Sequence, residues 1–153
     1  MIFKDVRLRA SRDTPSAFGS TYAKESQLSE DDWIDRASQR TGERSIGYLA
    51  MDDGVACGIA AGFLDEHEAS RAHLVSMWIS PTHRRLGVGR SLVSAIIAWA
   101  QTRAVRTLHL MVTSNNESAI RFYESLGFAR TGRTEAYPND VKLIEYEMSR
   151  SIG

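Results

Sequence analysis

The sequence predicts an α+β fold in which one sheet contains a strand–helix–strand crossover at its middle. Two observations indicate this class. Residues 46 to 64 have the pattern of two strands joined by a tight turn, and residues 72 to 112 have the pattern of strand, helix and strand. The 153 residues suffice to bury a core, and no repeat or linker divides them. We therefore expect a single domain over residues 1–153.

The first forty residues are predicted to be mainly helical. Residues 2 to 10 form a short amphipathic piece, and residues 13 to 20 form a turn-rich loop. A second helix is predicted to open at Ser29, because a hydroxyl followed by acids suits a helix N-terminus. Its expected apolar side consists of Trp33, Ile34 and Ala37.

Four strands of the predicted sheet lie outside the crossover. Residues 46–51 and 55–64 are predicted to pair, because Asp52-Asp53-Gly54 between them is a strong hairpin turn. Residues 128–134 and 143–150 are predicted to be the last two strands.

The crossover consists of a strand at 72–79, a helix at 87–103 and a strand at 107–112. The last is nearly all apolar, as expected of a strand that is covered on both faces. The predicted buried face of the helix has helical spacing and consists of Leu92, Ala95, Ile96, Trp99 and Ala100.

A further helix is predicted to follow the crossover. Ser114 and Glu117 form a capping-box pattern at its start, and Gly127 is placed to end it in the left-handed conformation. Its expected apolar side consists of Ala119, Phe122, Tyr123 and Leu126.

The loop after residue 79 is the strongest functional signal. It contains R-x-x-G-x-G, as Arg84, Gly87 and Gly89, just before a helix. Amides without helical partners and the helix dipole favour an anion there, and glycine lets phosphates approach the backbone. Arg84 and Arg85 add cationic groups. The pattern predicts a pyrophosphate site; with no G-K-[ST] it is not a P-loop, and it lacks the third glycine of the dinucleotide fingerprint.

Composition excludes several classes. Nineteen basic and nineteen acidic residues cancel, so nothing indicates a nucleic-acid or membrane-surface partner. No apolar run reaches about 18 residues, so no transmembrane helix is expected. The lone Cys57 fits a reducing compartment, and Lys4, Asp5 and Arg7 argue against a signal peptide. A cytoplasmic location is therefore expected.

Two segments in this order resemble the GNAT superfamily of N-acetyltransferases. One is the R-x-x-G-x-G loop with its preceding strand, and the other is N-x-x-A-x-x-F-Y-x-x-L-G-F over residues 116–128. The resemblance covers roughly residues 17 to 150. It implies a mixed, mostly antiparallel central sheet with flanking helices. It also implies direct transfer of an acetyl group from acetyl-CoA to a primary amine of a small molecule or peptide, within a ternary complex.

The resemblance implies where acetyl-CoA, the co-substrate, binds. Its phosphates would lie on the loop amides. Its pantetheine arm would enter where the preceding strand bulges and splays from the next parallel strand, and a backbone amide there would face the thioester oxygen. Asn116 would contact the arm, with helix capping as an equal alternative. The implied binding residues are Met77, Trp78, Ile79, Arg84, Arg85, Leu86, Gly87, Val88, Gly89, Arg90 and Asn116.

Two side chains are expected to be catalytic. Tyr123 matches the family's tyrosine that protonates the departing CoA thiolate; packing in the core is its alternative role. His73 lies eleven positions before Arg84, where many members have a glutamate as general base. An imidazole can take a proton from an ammonium. A surface histidine, a water chain and a water-linked acid such as Glu68 remain open.

Some features depart from the family or suggest other functions. The histidines have no metal-ligand spacing, so no metal is expected, and Cys57 is expected to be a buried, inert thiol. The usual first edge strand is missing, or the start lies upstream, and a second copy could cover the exposed edge in a homodimer.

A non-catalytic acyl-CoA-binding or sensing domain is the main alternative function, favoured by His73 and opposed by Tyr123. Nucleic-acid binding is the alternative function with the least support.

Overall fold

A six-stranded mixed sheet with helices packed on it forms the described part of the chain, which in this computed structural model comprises residues 2–13, 22–38, 42–137 and 140–153. The predicted α+β class is confirmed. The elements are α1 Ile2–Asp13, α2 Tyr22–Glu25, α3 Glu30–Ser38, β1 Ser45–Asp52, β2 Val55–Leu64, β3 Arg71–Ile79, a 3-10 turn Pro81–His83, α4 Val88–Thr102, β4 Thr107–Thr113, α5 Glu117–Ser125, β5 Ala129–Tyr137 and β6 Asp140–Ser151.

The strand order is β1-β2-β3-β4-β6-β5, and among the described strands only β3 and β4 pair in parallel. The sheet is therefore mixed and mostly antiparallel, as expected. The β1–β2 hairpin turns at Asp53 and Gly54, whose φ values of 50° and 80° are those of a type I′ turn. Before β1, the described residues contain helices and no strand, and β1 stands at one end of the strand order.

Hydrophobic clusters cover the two faces of the sheet. Val6 and Ala10 of α1 pack on Ile59, whereas the next residue of β2, Ala60, belongs to the larger cluster beneath α4. Successive strand residues point to opposite faces, so α1 and α4 lie on opposite sides of the sheet. None of the helices in the described ranges is long and apolar enough to cross a membrane.

The predicted start of α5 is wrong. The N-cap is Asn116, whose Oδ1 accepts a hydrogen bond from the amide of Ala119 at 3.1 Å, and not Ser114. The Ser114 amide instead donates to the carbonyl of Ile144 at 2.8 Å, which keeps the chain paired to β6 and delays the helix. The end of α5 is as predicted, because Gly127 has φ +90° and the Phe128 amide bonds back to the Tyr123 carbonyl.

In α3 the prediction is right for the cap and wrong for one apolar residue. The Ser29 hydroxyl and the Asp32 carboxylate accept hydrogen bonds from each other's amides at 3.1 and 3.0 Å. Trp33 is fully buried against Phe3, but Ile34 is 55% exposed. Neighbouring helix positions are about 100° apart, so a helix that packs through Trp33 turns Ile34 outward. The loop was predicted to begin at Asp13, but Asp13 is the last residue of α1. The rest of the predicted loop, residues 14–20, lies outside the described residues.

Candidate active site

The parallel strands separate beside a bulge in β3. They pair only from Arg71 to His73, although β3 continues to Ile79. On the other side β2 pairs Ala61 with Val75 and Ile59 with Trp78, so one residue of β2 faces two of β3. The predicted bulge and splay are therefore present, and the bulge begins at residue 76, one position before Met77, the first of the implied binding residues.

Ser76 adopts a left-handed backbone conformation at this bulge, with φ +56°. A non-glycine residue in that region is strained unless its surroundings hold it. Here Arg7 of α1 donates a hydrogen bond from Nη1 to the Ser76 hydroxyl at 2.8 Å. The Nη2 atom of Arg7 lies 2.5 Å from Oε1 of Glu25, which is fully buried. A buried ion pair therefore ties the front helices to the bulge.

A cleft of about 1140 Å³ opens at the splay. Leu86 and Val88 are the two implied site residues that do not line it. Leu86 is 69% exposed, and Val88 packs against the larger core cluster, so only their backbone can contribute. The implied site residues that line the cleft are His73, Met77, Trp78, Ile79, Arg84, Arg85, Gly87, Gly89, Arg90, Asn116 and Tyr123.

Gly87 and Gly89 serve different purposes at the start of α4. Gly87 is the N-cap and has φ +85°, and an added Cβ would meet no atom within 4 Å. An added Cβ on Gly89 would lie 2.9 Å from the Phe122 ring and 3.3 Å from Cε of Met77. Gly87 thus keeps an open space beside the first-turn amides, and Gly89 lets α4 approach α5.

The arginines of the loop differ in their partners. Arg84 pairs with Asp13 of α1 at 2.6 Å and donates from Nε to the Ile79 carbonyl at 3.0 Å. Its charge is compensated, so it braces the loop more than it attracts an anion. No ion pair to Arg85 or Arg90 is present in the described part of the chain, and both line the cleft. They are therefore the cations of this loop that are available to a phosphate group.

Tyr123 lies on α5 with its ring between Phe122 and Phe128, at centroid distances of 5.2 and 5.8 Å. It is 7% exposed and also lines the cleft. Burial raises its pKa well above the ordinary value of a tyrosine, so the hydroxyl stays protonated. The two roles weighed for this residue, packing and proton donation, are compatible in one position.

His73 is held by Asp65, a residue to which the sequence analysis gave no role. Nε2 of His73 donates to Oδ1 of Asp65 at 2.7 Å, and its ring stacks on Phe63 at 4.8 Å. This hydrogen bond lowers the pKa of Asp65 below its usual range. A carboxylate that accepts from Nε2 fixes the tautomer and leaves the lone pair on Nδ1. Glu66 and Glu68 lie in the exposed loop before β3, as expected.

Strands β5 and β6 add acidic side chains to the cleft lining, which sequence reasoning also missed. They are Glu135, Glu145 and Glu147, here called the acidic cluster. The E-x-E pattern in β6 was visible in the sequence, but the face that it occupies depends on register. Cys57 is buried, as predicted. Among the described residues, no group of three or more His, Cys, Asp or Glu is placed to hold a metal.

Comparison with known proteins identifies the family. Residues 8–128 match the model of the acetyltransferase (GNAT) family. The chain belongs to this family. It is 34% identical over 110 residues to the ribosomal protein bS18-alanine N-acetyltransferase of Escherichia coli K12, covering 69% of this chain and 71% of that protein. It is 27% identical to the mycothiol acetyltransferase of Actinosynnema mirum, covering 73% of this chain and 35% of that protein.

Solved structures support the fold. A GNAT-family acetyltransferase from Streptococcus pneumoniae superposes with a TM-score of 0.77 at 23% identity, covering 100% of this chain and 96% of that one. An aminoglycoside 6′-N-acetyltransferase complexed with coenzyme A gives a TM-score of 0.72 at 16% identity, covering 98% and 91%. Members of the family are acetyl-CoA-dependent N-acetyltransferases, so the predicted enzyme class is confirmed.

Proposed function

We propose that the protein transfers an acetyl group from acetyl-CoA directly to a primary amine of a small molecule or peptide within a ternary complex. The observation that supports this most is the cleft where β3 leaves β4, with the 84–90 loop and Tyr123 in its lining. Beyond His73, β3 has no pairing to β4, so its backbone groups on that side can pair with an extended ligand. The bS18-alanine N-acetyltransferase relative is named for an amine acceptor.

The residues of the cleft fit acetyl-CoA, which supplies an activated thioester. First-turn amides of α4, Arg85 and Arg90 would bind its phosphates, and the open space at Gly87 admits them. Asn116 remains close enough to contribute from its capping position, since it lines the cleft. The backbone amide of Met77 or Trp78, at the bulge, would stabilise the negative charge that forms on the thioester oxygen.

The transfer needs three proton movements. His73 takes a proton from the acceptor's ammonium, so that the amine nitrogen can attack the thioester carbon. When the carbon–sulfur bond breaks, the Tyr123 hydroxyl gives its proton to the sulfur. The acetylated nitrogen loses its second proton to water, which leaves a neutral amide, and Tyr123 is reprotonated from solvent. Burial raises the pKa of Tyr123, and a thiolate leaving into the same desolvated cleft has its own pKa raised for the same reason. The pKa values of the proton donor and the proton acceptor are therefore shifted in the same direction.

A screen of amines for release of CoA thiol, with mass spectrometry of the products, tests this function. The expected result is CoA release that requires an amine and yields one acetylated amine per CoA. Cys57→Ser is the matched control: the thiol is 4% exposed and does not line the cleft, so the variant should keep full transfer. CoA release with the acetyl group found on the protein, or none with any amine, would refute direct transfer.

A further inference from the structure

The acidic cluster lies on the same face of the sheet as His73. In β6, Met148 points into the core beneath α4, so Glu147 and Ser149 point to the opposite face. Ser149 is the register partner of His109, which is in turn the parallel partner of His73. Register partners share a face. The glutamates therefore lie on the side where His73 would meet the acceptor amine.

Glu145 is an uncompensated charge on this face. It lies opposite Glu135 in the antiparallel register, and no hydrogen bond or ion pair to its carboxylate is found within the described ranges. Burial, and then the neighbouring Glu135, raises the pKa of Glu145. Two adjacent, partly buried carboxylates destabilise the folded protein when no ligand is bound. Such an arrangement favours a cation supplied from outside.

The other charges of the cluster leave a negative excess. Arg133 lies 2.5 Å from Oε1 of Glu135 and 3.7 Å from Oε2 of Glu147. Thr131 donates from Oγ1 to Glu147 at 2.8 Å. Within the acidic cluster one arginine therefore faces three carboxylates, which leaves a local excess of negative charge at Glu145.

A second, independent observation points to a ligand at the same place. His109 is 7% exposed and lines the cleft, and its Nδ1 is buried without a hydrogen-bond partner. The closest acidic atom, Oε2 of Glu147, is 3.6 Å from Nδ1, beyond hydrogen-bonding distance. Burial and then Arg71 lower the pKa of His109, which favours the neutral ring. A polar group of a ligand that approaches from the cleft could form hydrogen bonds with both this nitrogen and Glu147.

We propose that the acceptor is an amine that has a second cationic group, and that Glu145, supported by Glu135 and Glu147, binds this second charge. The inference rests on the proposed function, since it names the class of amine that the same cleft accepts. The second cation is an ammonium or guanidinium group. It can belong to a free diamine or to a basic residue of a peptide whose N-terminus reacts.

Binding to the CoA-saturated enzyme tests this without turnover. Calorimetric titrations compare 1,5-diaminopentane with pentylamine, and the amide of alanyl-lysine with that of alanyl-glutamine. In at least one pair, the ligand with the second cationic group should bind about tenfold more tightly or better. The pair that shows this preference identifies whether the second cation belongs to a free diamine or to a peptide. Equal binding within both pairs, or no binding in either, would overturn the proposal.

Two variants separate the charge from the fold. Glu145→Gln should remove most of the preference for the ligand with the second cationic group and leave binding of the ligand without it unchanged. Its thermal midpoint at neutral pH should rise, because the folded state no longer holds a carboxylate whose pKa is raised. Glu124→Gln, on the exposed side of α5 and outside the cleft lining, is the control and should change neither. Identical behaviour of the two variants would refute the assignment.

The outcomes also separate this inference from the proposed function. If amines without a second cationic group are acetylated as well as amines that have one, the proposed function holds and the inference fails. If no amine of either kind causes CoA release, the proposed function fails.

Discussion

Gly87→Ala tests whether the 84–90 loop binds CoA through an open backbone. Gly87 has φ +85° with no atom within 4 Å of an added Cβ. Alanine therefore fits sterically, and it destabilises the protein only through its left-handed backbone conformation. That conformation costs about 1–2 kcal/mol. For a domain of this size the thermal midpoint should fall by about 2–8 °C. Because Gly87 lines the cleft, the new methyl group should reduce the space available to a phosphate group there.

Gly54 supplies the matched control. It has φ +80°, also with no atom within 4 Å, and lies in the β1–β2 turn outside the cleft lining. Both alanine variants should lose similar stability in thermal unfolding. Only Gly87→Ala should weaken CoA in calorimetric titration, by at least about tenfold or 1.4 kcal/mol. A Gly87→Ala protein that unfolds like Gly54→Ala and binds CoA like the wild type would refute the proposed phosphate site.

Three further variants test the chemistry. Tyr123→Phe keeps the ring packing and removes the hydroxyl, so kcat should fall at least about tenfold with little change in the KM for acetyl-CoA; unchanged kcat would return Tyr123 to a packing role. His73→Ala should abolish the acidic limb of the pH profile of kcat/KM. His73→Glu should keep activity and move that limb to lower pH, since glutamate is the stronger acid. An acidic limb that survives His73→Ala would point to another base. Asp65→Asn should lower stability in urea unfolding at neutral pH. Because the folded-state pKa of Asp65 lies below its reference value of 3.8, the wild-type advantage should be present above pH 3.8 and vanish as the pH falls through the lower folded value; a difference independent of pH would refute the Asp65–His73 bond as its cause.

Local sequence signals predicted most of the fold. The Asp53-Gly54 turn determined the first hairpin, and Gly127 determined the end of α5, because each requires a backbone conformation that few residues adopt. The start of α5 was missed because Ser114, Asn115 and Asn116 can all cap a helix. Pairing of the Ser114 amide to Ile144, a contact distant in sequence, decides between them.

Candidate site residues could be proposed from the sequence where a motif lies within one segment. The loop glycines and Tyr123 were selected in this way, and the structure shows that they line one cleft. Asp65 was missed because its contact with His73 depends on the register of β2 with β3. The left-handed Ser76 had no glycine to signal it, since Arg7 of α1 holds that residue from another part of the chain.

The acidic cluster shows the same limit. Glu145 and Glu147 alternate in β6 as any strand with one polar face would. Only the pairing of β6 with β4 and β5 places them beside His109 and Glu135. A property of the site that depends on three strands has no signal in any one of them.

Initial velocities measured over a grid of acetyl-CoA and amine concentrations test the central claim, direct transfer in a ternary complex, most directly. Reciprocal plots should give intersecting lines, because both substrates must be bound before the acetyl group moves. Parallel lines, as an acetylated enzyme intermediate would produce, would contradict the assignment of the β3–β4 cleft as a site of direct transfer.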